Sequence, residues 1–268
     1  MARLKAASWH LALTVVALGA VYAIVRTLWY PHPLLIADGA LQTYGLLAGV
    51  SLALGPLLTL VVFRAGKKGL RSDLALIIIA QLAAFAFVVH LLYIRRIQLV
   101  VYSQGAFHAL DAAHIALIGA KGQALLHTLP GRPAYVYVKL PHNKLAMLEV
   151  EIRTLQGEPP VFLRGWRYRP YTQAEQRKAA AQGYPLVAVA RTNHVAASAI
   201  RRFRDDHPRL ADYVFVPLRG TYTSVMLALD RKTGRIVSTL RFNPGMGNAP
   251  HASGHKKPPH AAAGRAPA

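Results

Sequence analysis

The stretch Arg164–Arg169 alternates positive charges with aromatic rings, and it is the part of the sequence most suited to binding chemistry. Arg164, Trp166, Arg167 and Arg169 supply three guanidinium groups and one indole ring within six residues. Guanidinium groups pair with phosphates, and aromatic rings stack on nucleic-acid bases. The pattern is therefore compatible with a basic surface that binds polyanions. A solvated basic strand explains the same residues, and both interpretations stay open.

Residue patterns that carry catalysis are missing from the sequence. It contains no serine nucleophile elbow, no His-Glu-x-x-His motif and no glycine-rich phosphate loop. The closely spaced carboxylates, Glu149 with Glu151 and Asp205 with Asp206, are more simply solvated. There is no cysteine, which excludes disulfides and thiolate metal sites. The sequence predicts no enzyme, no cofactor and no metal site.

Three apolar runs dominate the first third of the chain, at about 9–30, 44–63 and 74–93. A helix of about 20 apolar residues crosses the roughly 30 Å hydrocarbon core of a bilayer. The mean hydropathy of +0.27 and the 16% of charged residues are unusual for a soluble protein. We therefore predict a membrane domain of three transmembrane helices over residues 1–96.

The distribution of Lys and Arg predicts how these helices cross the membrane. Two basic residues precede the first run, the loop 27–43 has none, and the loop Arg64–Asp73 is strongly basic. Short loops rich in Lys and Arg stay cytoplasmic. The N-terminus is thus predicted in the cytoplasm and the C-terminal domain in the periplasm, with the first run an uncleaved anchor. Arg95 and Arg96, just outside the membrane in this arrangement, oppose it.

Beyond the membrane segments, alternating and β-branched residues predict a periplasmic α+β domain with an antiparallel sheet over residues 97–242. Residues 243–268 consist mainly of Gly, Pro, Ala, His and Lys and are predicted to be a disordered tail. The predicted strands are 97–103, 134–140, 145–152, 213–219, 221–229 and 235–242, and the predicted helices are 172–182 and 193–205. The pattern over 106–122 is ambiguous, and we favour a helix or an irregular helix there.

Small residues recur on one side of the second apolar run. Gly45, Gly49 and Ala53 are four residues apart and form one ridge along a helix. Such ridges allow another helix to approach closely in lipid. The ridge could dock a helix of another protein, or it could pack against the first or third helix of this chain.

A proline and a glutamine mark the middle of the membrane domain. Pro56, after Gly55, removes a backbone N–H and frees a carbonyl one turn earlier, which produces a kink. Gln81 in the third run is strongly polar, and polar groups at that depth face protein rather than lipid. We include Gly55, Pro56 and Gln81 with the ridge as candidate helix-docking residues, with a hydrogen bond from Gln81 to the second helix as the simpler role.

The membrane segments resemble a known family. Leu54–Phe63 reads Leu-Gly-Pro-Leu-Leu-Thr-Leu-Val-Val-Phe, the basic loop closes in Asp73-Leu74, Gln81 follows, and Val216–Leu218 precedes a final hairpin. This order is similar to that of the type IV pilin accessory proteins, and the likeness is strongest over Leu54–Gln81. Ser51 stands where the family usually has an acidic residue, so the chain is a divergent member.

The resemblance implies a non-enzymatic accessory or chaperone protein of the bacterial inner membrane. Its partners would be the lipid bilayer and the apolar N-terminal helix of a type IV pilin, whose subunits it would stabilise for pilus assembly and twitching motility. Nucleic acid is not an expected partner, and homo-oligomerisation stays open. The alternative function is a membrane-anchored periplasmic module that binds polyanions through its basic domain.

Overall fold

The computed structural model describes residues 2–31, 33–37, 39–63, 69–183 and 194–243. Three of its helices are long and apolar enough to cross a membrane, over Leu4–Trp29, Ala40–Val62 and Ser72–Ile94. The prediction of three membrane helices is confirmed. Residues 64–68 of the basic loop and nearly all of the predicted tail lie outside the described residues, and the domain boundary at residue 96 stays a prediction.

The membrane domain is built around its second long helix. The helices are α1 (Ala2–Ile24, continued by a π-helical turn), α2 (Leu34–Ala37), α3 (Ala40–Val62) and α4 (Leu70–Ile94). Helix α3 packs against both α1 and α4. Its buried row has a spacing of four residues, which places one face of the helix inside, and consists of Leu47, Ser51, Gly55 and Thr59.

The described residues of the C-terminal domain form one seven-stranded sheet with the order β4-β3-β1-β2-β5-β6-β7. Its β1–β3 and β2–β5 pairings are parallel, and its other pairings are antiparallel. The sheet is therefore mixed, where the sequence predicted antiparallel pairing throughout. The strands are β1 (Leu99–Ser103), β2 (Ala106–Leu110), β3 (Ala134–Val138), β4 (Tyr168–Pro170), β5 (Tyr213–Arg219), β6 (Ser224–Asp230) and β7 (Ile236–Leu240).

Among the described residues of the domain, five helices accompany this sheet: α5 (Ala112–Leu117), α6 (Gly119–Thr128), α7 (Lys144–Leu155), α8 (Gln173–Ala181) and α9 (His194–Asp206). The predicted strand over 145–152 was wrong, because these residues form α7. The Asn143 side chain accepts a hydrogen bond from the Leu145 N–H at 2.9 Å and caps this helix. Val150 faces the core while Leu145 and Ile152 are exposed, so apolar residues on both sides obscured the helical period.

The prediction of a helix beginning at residue 106 was also wrong. Residues 106–110 form β2, all five are buried, and helix begins only with α5. A strand buried on both faces lacks the alternation that identifies a half-exposed strand. Asp111 ends β2 and accepts a hydrogen bond from the His114 N–H at 3.1 Å, which starts α5.

The two faces of the sheet are covered by different partners. On one face, buried side chains of β1 and β3 pack with α6 and α7, and those of β5, β6 and β7 pack with α9. On the other face, the apolar side chains belong to one core with residues of α8 and of the membrane domain, including Tyr30, Leu34, Ala37 and Leu92. The domain therefore shares its core with the membrane helices.

The junction between the domain and the membrane helices is made by the α2 segment and the β5–β6 turn. The Thr223 backbone N–H donates to the Ala37 carbonyl at 3.0 Å. Gly220 lies so close to the Ala37 carbonyl that a β-carbon there would overlap it. The hydroxyl of buried Tyr30 donates to the Leu92 carbonyl at 3.0 Å and ties the end of the first span to that of α4. These contacts fix the domain on the helix ends.

His108 makes the stability of the domain dependent on pH. Its imidazole is buried on β2 and stacks on Phe162, with ring centroids 4.1 Å apart. Burial, helped by the positive charge of Arg219, lowers the pKa of His108 to about 4. The unfolded chain binds a proton near pH 6.5, so it takes up protons before the folded domain does.

We therefore expect stability to fall as the pH drops from about 6.5 to about 4, by about 2–3 kcal/mol at pH 4.5. The measurement is the unfolding free energy of the full chain in detergent at pH 7 and pH 4.5. His108→Phe keeps an aromatic ring on Phe162 and removes the titrating group. The unfolding free energy that this variant loses between pH 7 and pH 4.5 should therefore be smaller than the loss in the wild type by the same amount. An equal loss in both proteins would contradict the assignment.

Candidate functional site

A polar cluster joins all three membrane helices. The Nδ1 of His10 on α1 lies 2.7 Å from Thr59 Oγ1 on α3, and its Nε2 lies 2.7 Å from Gln81 Oε1 on α4. Interhelical hydrogen bonds hold helices together in lipid, where the hydrophobic effect does not drive association. His10 thus connects α1 directly to both α3 and α4.

The polar cluster also supplies hydrogen bonds to the backbone of α3. Gln81 Nε2 donates to the Ser51 carbonyl at 3.5 Å, and Thr59 Oγ1 donates to the Gly55 carbonyl at 3.0 Å. These carbonyls lie next to Pro56, where the helix loses a backbone donor. The sequence predicted a hydrogen bond from Gln81 to this helix, and the bond to the Ser51 carbonyl is such a contact. It did not suggest His10, whose signal is one histidine inside an apolar run.

Gly55 leaves the space in which the Gln81 amide sits. A β-carbon at residue 55 would lie 2.5 Å from Gln81 Oε1 and 2.7 Å from its Nε2. The amide is the end of a flexible side chain, so it would move away rather than unfold the helix. A methyl group at this position therefore acts on the polar cluster.

We expect Gly55→Ala to weaken the helix bundle by about 1–2 kcal/mol, although alanine favours helix by about 1 kcal/mol. The measurement is unfolding of the full chain in mixed micelles as the fraction of dodecyl sulfate rises. Gly49→Ala is the matched control, because a β-carbon there meets nothing within 4 Å. In a Gln81→Ala background the effect of Gly55→Ala should vanish; persistence would show that the amide is not responsible.

Two apolar grooves flank α4, and Gln81 lines both. The groove between α3 and α4 has a volume of about 540 Å³ and runs from Thr43 to Leu58 on α3. The groove between α1 and α4 has a volume of about 430 Å³ and contains His10 and Thr59. The bundle therefore leaves open apolar space on each side of α4.

The ridge of Gly45, Gly49 and Ala53 faces away from this packing. All three residues are exposed, and a β-carbon at either glycine would meet nothing within 4 Å among the described residues. The ridge lies two residues out of step with the buried row of α3, which places it on roughly the opposite side of the helix. Packing of the ridge against α1 or α4 is therefore not what the structure shows.

The basic and aromatic set does not form one surface. Arg164 is buried, 1% exposed, and donates to the Pro159 carbonyl at 2.9 Å and to Thr154 Oγ1 at 2.7 Å. Its predicted place on a basic surface was wrong, because it holds the loop after α7 together. Trp166 is 49% exposed and Arg169 is exposed, while Arg167 is half-buried. Within the described residues, no group of three or more His, Asp or Glu side chains is placed to hold a metal ion.

These features define a class of protein: three membrane-capable helices around a polar cluster, carrying an α/β domain with a mixed sheet. Three proteins of Dichelobacter nodosus are similar to the chain. The fimbrial assembly protein of serogroups C1 and C2 is 33% identical over 131 residues, which is 48% of this chain and 92% of that protein. The chain belongs to the fimbrial assembly protein family.

The other two relatives are longer. The fimbrial assembly proteins of serogroups E1 and I are each 31% identical, over 128 and 131 residues, or 47% and 48% of this chain. The chain spans about half the length of these two, 46% and 47%. No protein-family model and no solved structure matches the chain. The resemblance predicted from the sequence is confirmed at the level of fimbrial assembly proteins.

Proposed function

We propose that this protein is a non-enzymatic accessory factor of pilus assembly in the bacterial inner membrane. It would bind the apolar helix of a type IV pilin subunit within the bilayer and stabilise that subunit until it joins the pilus. The names of the relatives support a role in assembly. The exposed ridge of Gly45, Gly49 and Ala53 carries the proposed binding step.

The ridge supports helix docking for a physical reason. Helix association in lipid depends on close van der Waals packing, which small residues permit by letting two backbones approach. The ridge is turned away from α1 and α4, so a partner helix could reach it without disturbing the bundle. Gly55, Pro56 and Gln81 would act indirectly, by fixing the shape of α3 and the position of α4.

The proposed topology places the N-terminus in the cytoplasm and the α/β domain in the periplasm. The charge distribution of the loops supports it. Fusion of alkaline phosphatase after Phe242 should be active, because that enzyme folds correctly only outside the cytoplasm. An inactive phosphatase fusion, together with activity of a cytoplasmic reporter fused at the same position, would reverse the topology and remove the periplasmic role.

Deletion of the gene should lower the amount of pilin and the number of surface pili, and the ridge should account for this effect. Gly49→Leu fills the ridge, so we expect pilin to fall toward the deletion level while the variant itself accumulates normally. Ala83→Leu makes a larger side chain on an exposed, groove-free part of α4 and should leave pilin unchanged.

A photoreactive residue at position 49 tests the contact directly. It should capture pilin in cells, whereas the same residue at position 83 should not. Equal capture from both positions would indicate contact by chance in the membrane. Unchanged pilin and pili in the deletion strain would refute the assembly role altogether.

A further inference from the structure

The groove between α3 and α4 leads to a positive charge at the membrane surface. The α4 residues along it lie on one face of the helix, at steps of one and three residues, and the last of them is Leu91. Arg95 follows four residues later, and its backbone N–H donates to the Leu91 carbonyl at 3.2 Å, so the helix continues to this point. Arg95 therefore lies on the same side of α4 as the groove, directly beyond its end.

The groove is long and narrow. Thr43 and Leu58 mark its ends on α3, and they lie about 22 Å apart along the helix. A volume of about 540 Å³ spread over that length describes an elongated space lined mainly by apolar side chains. Such a space suits a hydrocarbon chain, which is thinner than an α-helix of about 10–12 Å width.

The two arginines at the end of α4 differ in their surroundings. Arg96 stacks on the Tyr93 ring at 3.7 Å and donates from Nη1 to the Tyr93 carbonyl at 2.7 Å. Arg95 is exposed, and among the described residues its guanidinium has neither a hydrogen bond nor an ion pair. An uncommitted guanidinium at the end of an apolar groove is complementary to a phosphate joined to a hydrocarbon chain.

We propose that the α3–α4 groove binds one anionic phospholipid, with an acyl chain between the helices and the phosphate paired with Arg95. The groove opens laterally within the membrane-spanning segments, so lipid chains can enter it from the bilayer. The positive charge of Arg95 then has a role at the surface that is independent of which side of the membrane it faces. This site is on the opposite side of α3 from the ridge and does not depend on the proposed function.

Native mass spectrometry of the full chain in detergent tests the site with phosphatidylglycerol and phosphatidylcholine of identical acyl chains. The wild-type chain should retain phosphatidylglycerol about fivefold better, the contribution expected of one arginine near a lipid headgroup. Arg95→Gln should abolish that preference and still bind both lipids. Ala84→Phe, which fills the groove, should lower retention of both at least fivefold. Glycerol 3-phosphate should not compete, because it has no acyl chain.

Two matched controls separate a built site from general attraction. Arg177→Gln removes the same charge from an exposed position on α8, and Ala83→Phe adds the same ring to α4 outside both grooves. Both should bind lipid as the wild type does. Equal retention of the two lipids by the wild type, full retention by Ala84→Phe, or an equal loss in Arg177→Gln would overturn the proposal. So would capture of a protein helix, rather than lipid, by a photoreactive residue at position 84.

Discussion

Gly220→Val is expected to loosen the soluble domain from the membrane helices and to lower its stability by about 3 kcal/mol or more. A β-carbon at residue 220 would overlap the carbonyl of Ala37. The carbonyl is part of the backbone and the β-carbon is bonded directly to it, so no side-chain rotation can relieve the overlap. The turn would have to retreat, and the hydrogen bond from the Thr223 N–H to that carbonyl would break. Ala37 is fully buried, so its carbonyl would lose a partner where water does not reach it easily.

The measurement for Gly220→Val is thermal unfolding of the full chain in detergent, together with limited proteolysis across the α2 segment. The variant should be cut there at a temperature at which the wild type resists. Gly19→Val is the matched control, since a β-carbon at residue 19 meets nothing within 4 Å. Wild-type proteolysis of the Gly220 variant would show that the junction does not hold the domain in place.

Arg164→Met should destabilise the domain by about 3 kcal/mol. The change keeps much of the side-chain volume and removes every donor, so the Pro159 carbonyl and Thr154 Oγ1 lose their partner. Glu158, whose Oε2 lies 3.3 Å from Arg164 Nη1, is 36% exposed and can be solvated in part. The cost is therefore at the lower end of the range for breaking a buried ion pair.

The unfolding temperature of Arg164→Met should fall by about 6–12 °C, given about 2–4 °C per kcal/mol for a domain of this size. Arg169→Met is the comparison, because Arg169 is exposed and its Nη1 donates only to the adjacent Tyr168 carbonyl at 2.7 Å among the described residues. That change should stay within about 0.5 kcal/mol. Similar unfolding temperatures for the two variants would mean that the buried guanidinium contributes little.

The membrane helices could be predicted from the sequence because lipid imposes a simple rule. A span must be long, apolar and helical, and all three runs satisfy that requirement. The strands of the final hairpin lie close to their predicted bounds, and in the turn between them Asp230 Oδ1 accepts from the Thr233 N–H at 2.7 Å. The parallel pairings of β1 with β3 and β2 with β5 join distant segments, and no local pattern records them.

The candidate site could be predicted only where the type of one residue requires a particular kind of neighbour. Gln81 is polar in an apolar helix, so it had to find a partner, and it did so on α3. That His10 would be its second partner depends on how α1 packs, which the sequence does not state. For Arg164, by contrast, the sequence predicted the wrong environment. Its neighbours in sequence suggested an exposed basic strand, but the loop after α7 encloses its side chain.

The junction at Ala37 and Thr223 joins residues 186 positions apart in the chain. The α2 segment therefore leaves the ribosome well before the turn that covers it. Contacts between distant positions slow folding, because a long loop must close before they form. During synthesis the apolar residues of α2 therefore stay uncovered until the β5–β6 hairpin has been made and packs on them. The core around the α2 segment can thus be completed only after the 186 residues that follow Ala37, up to and including Thr223, have been synthesised.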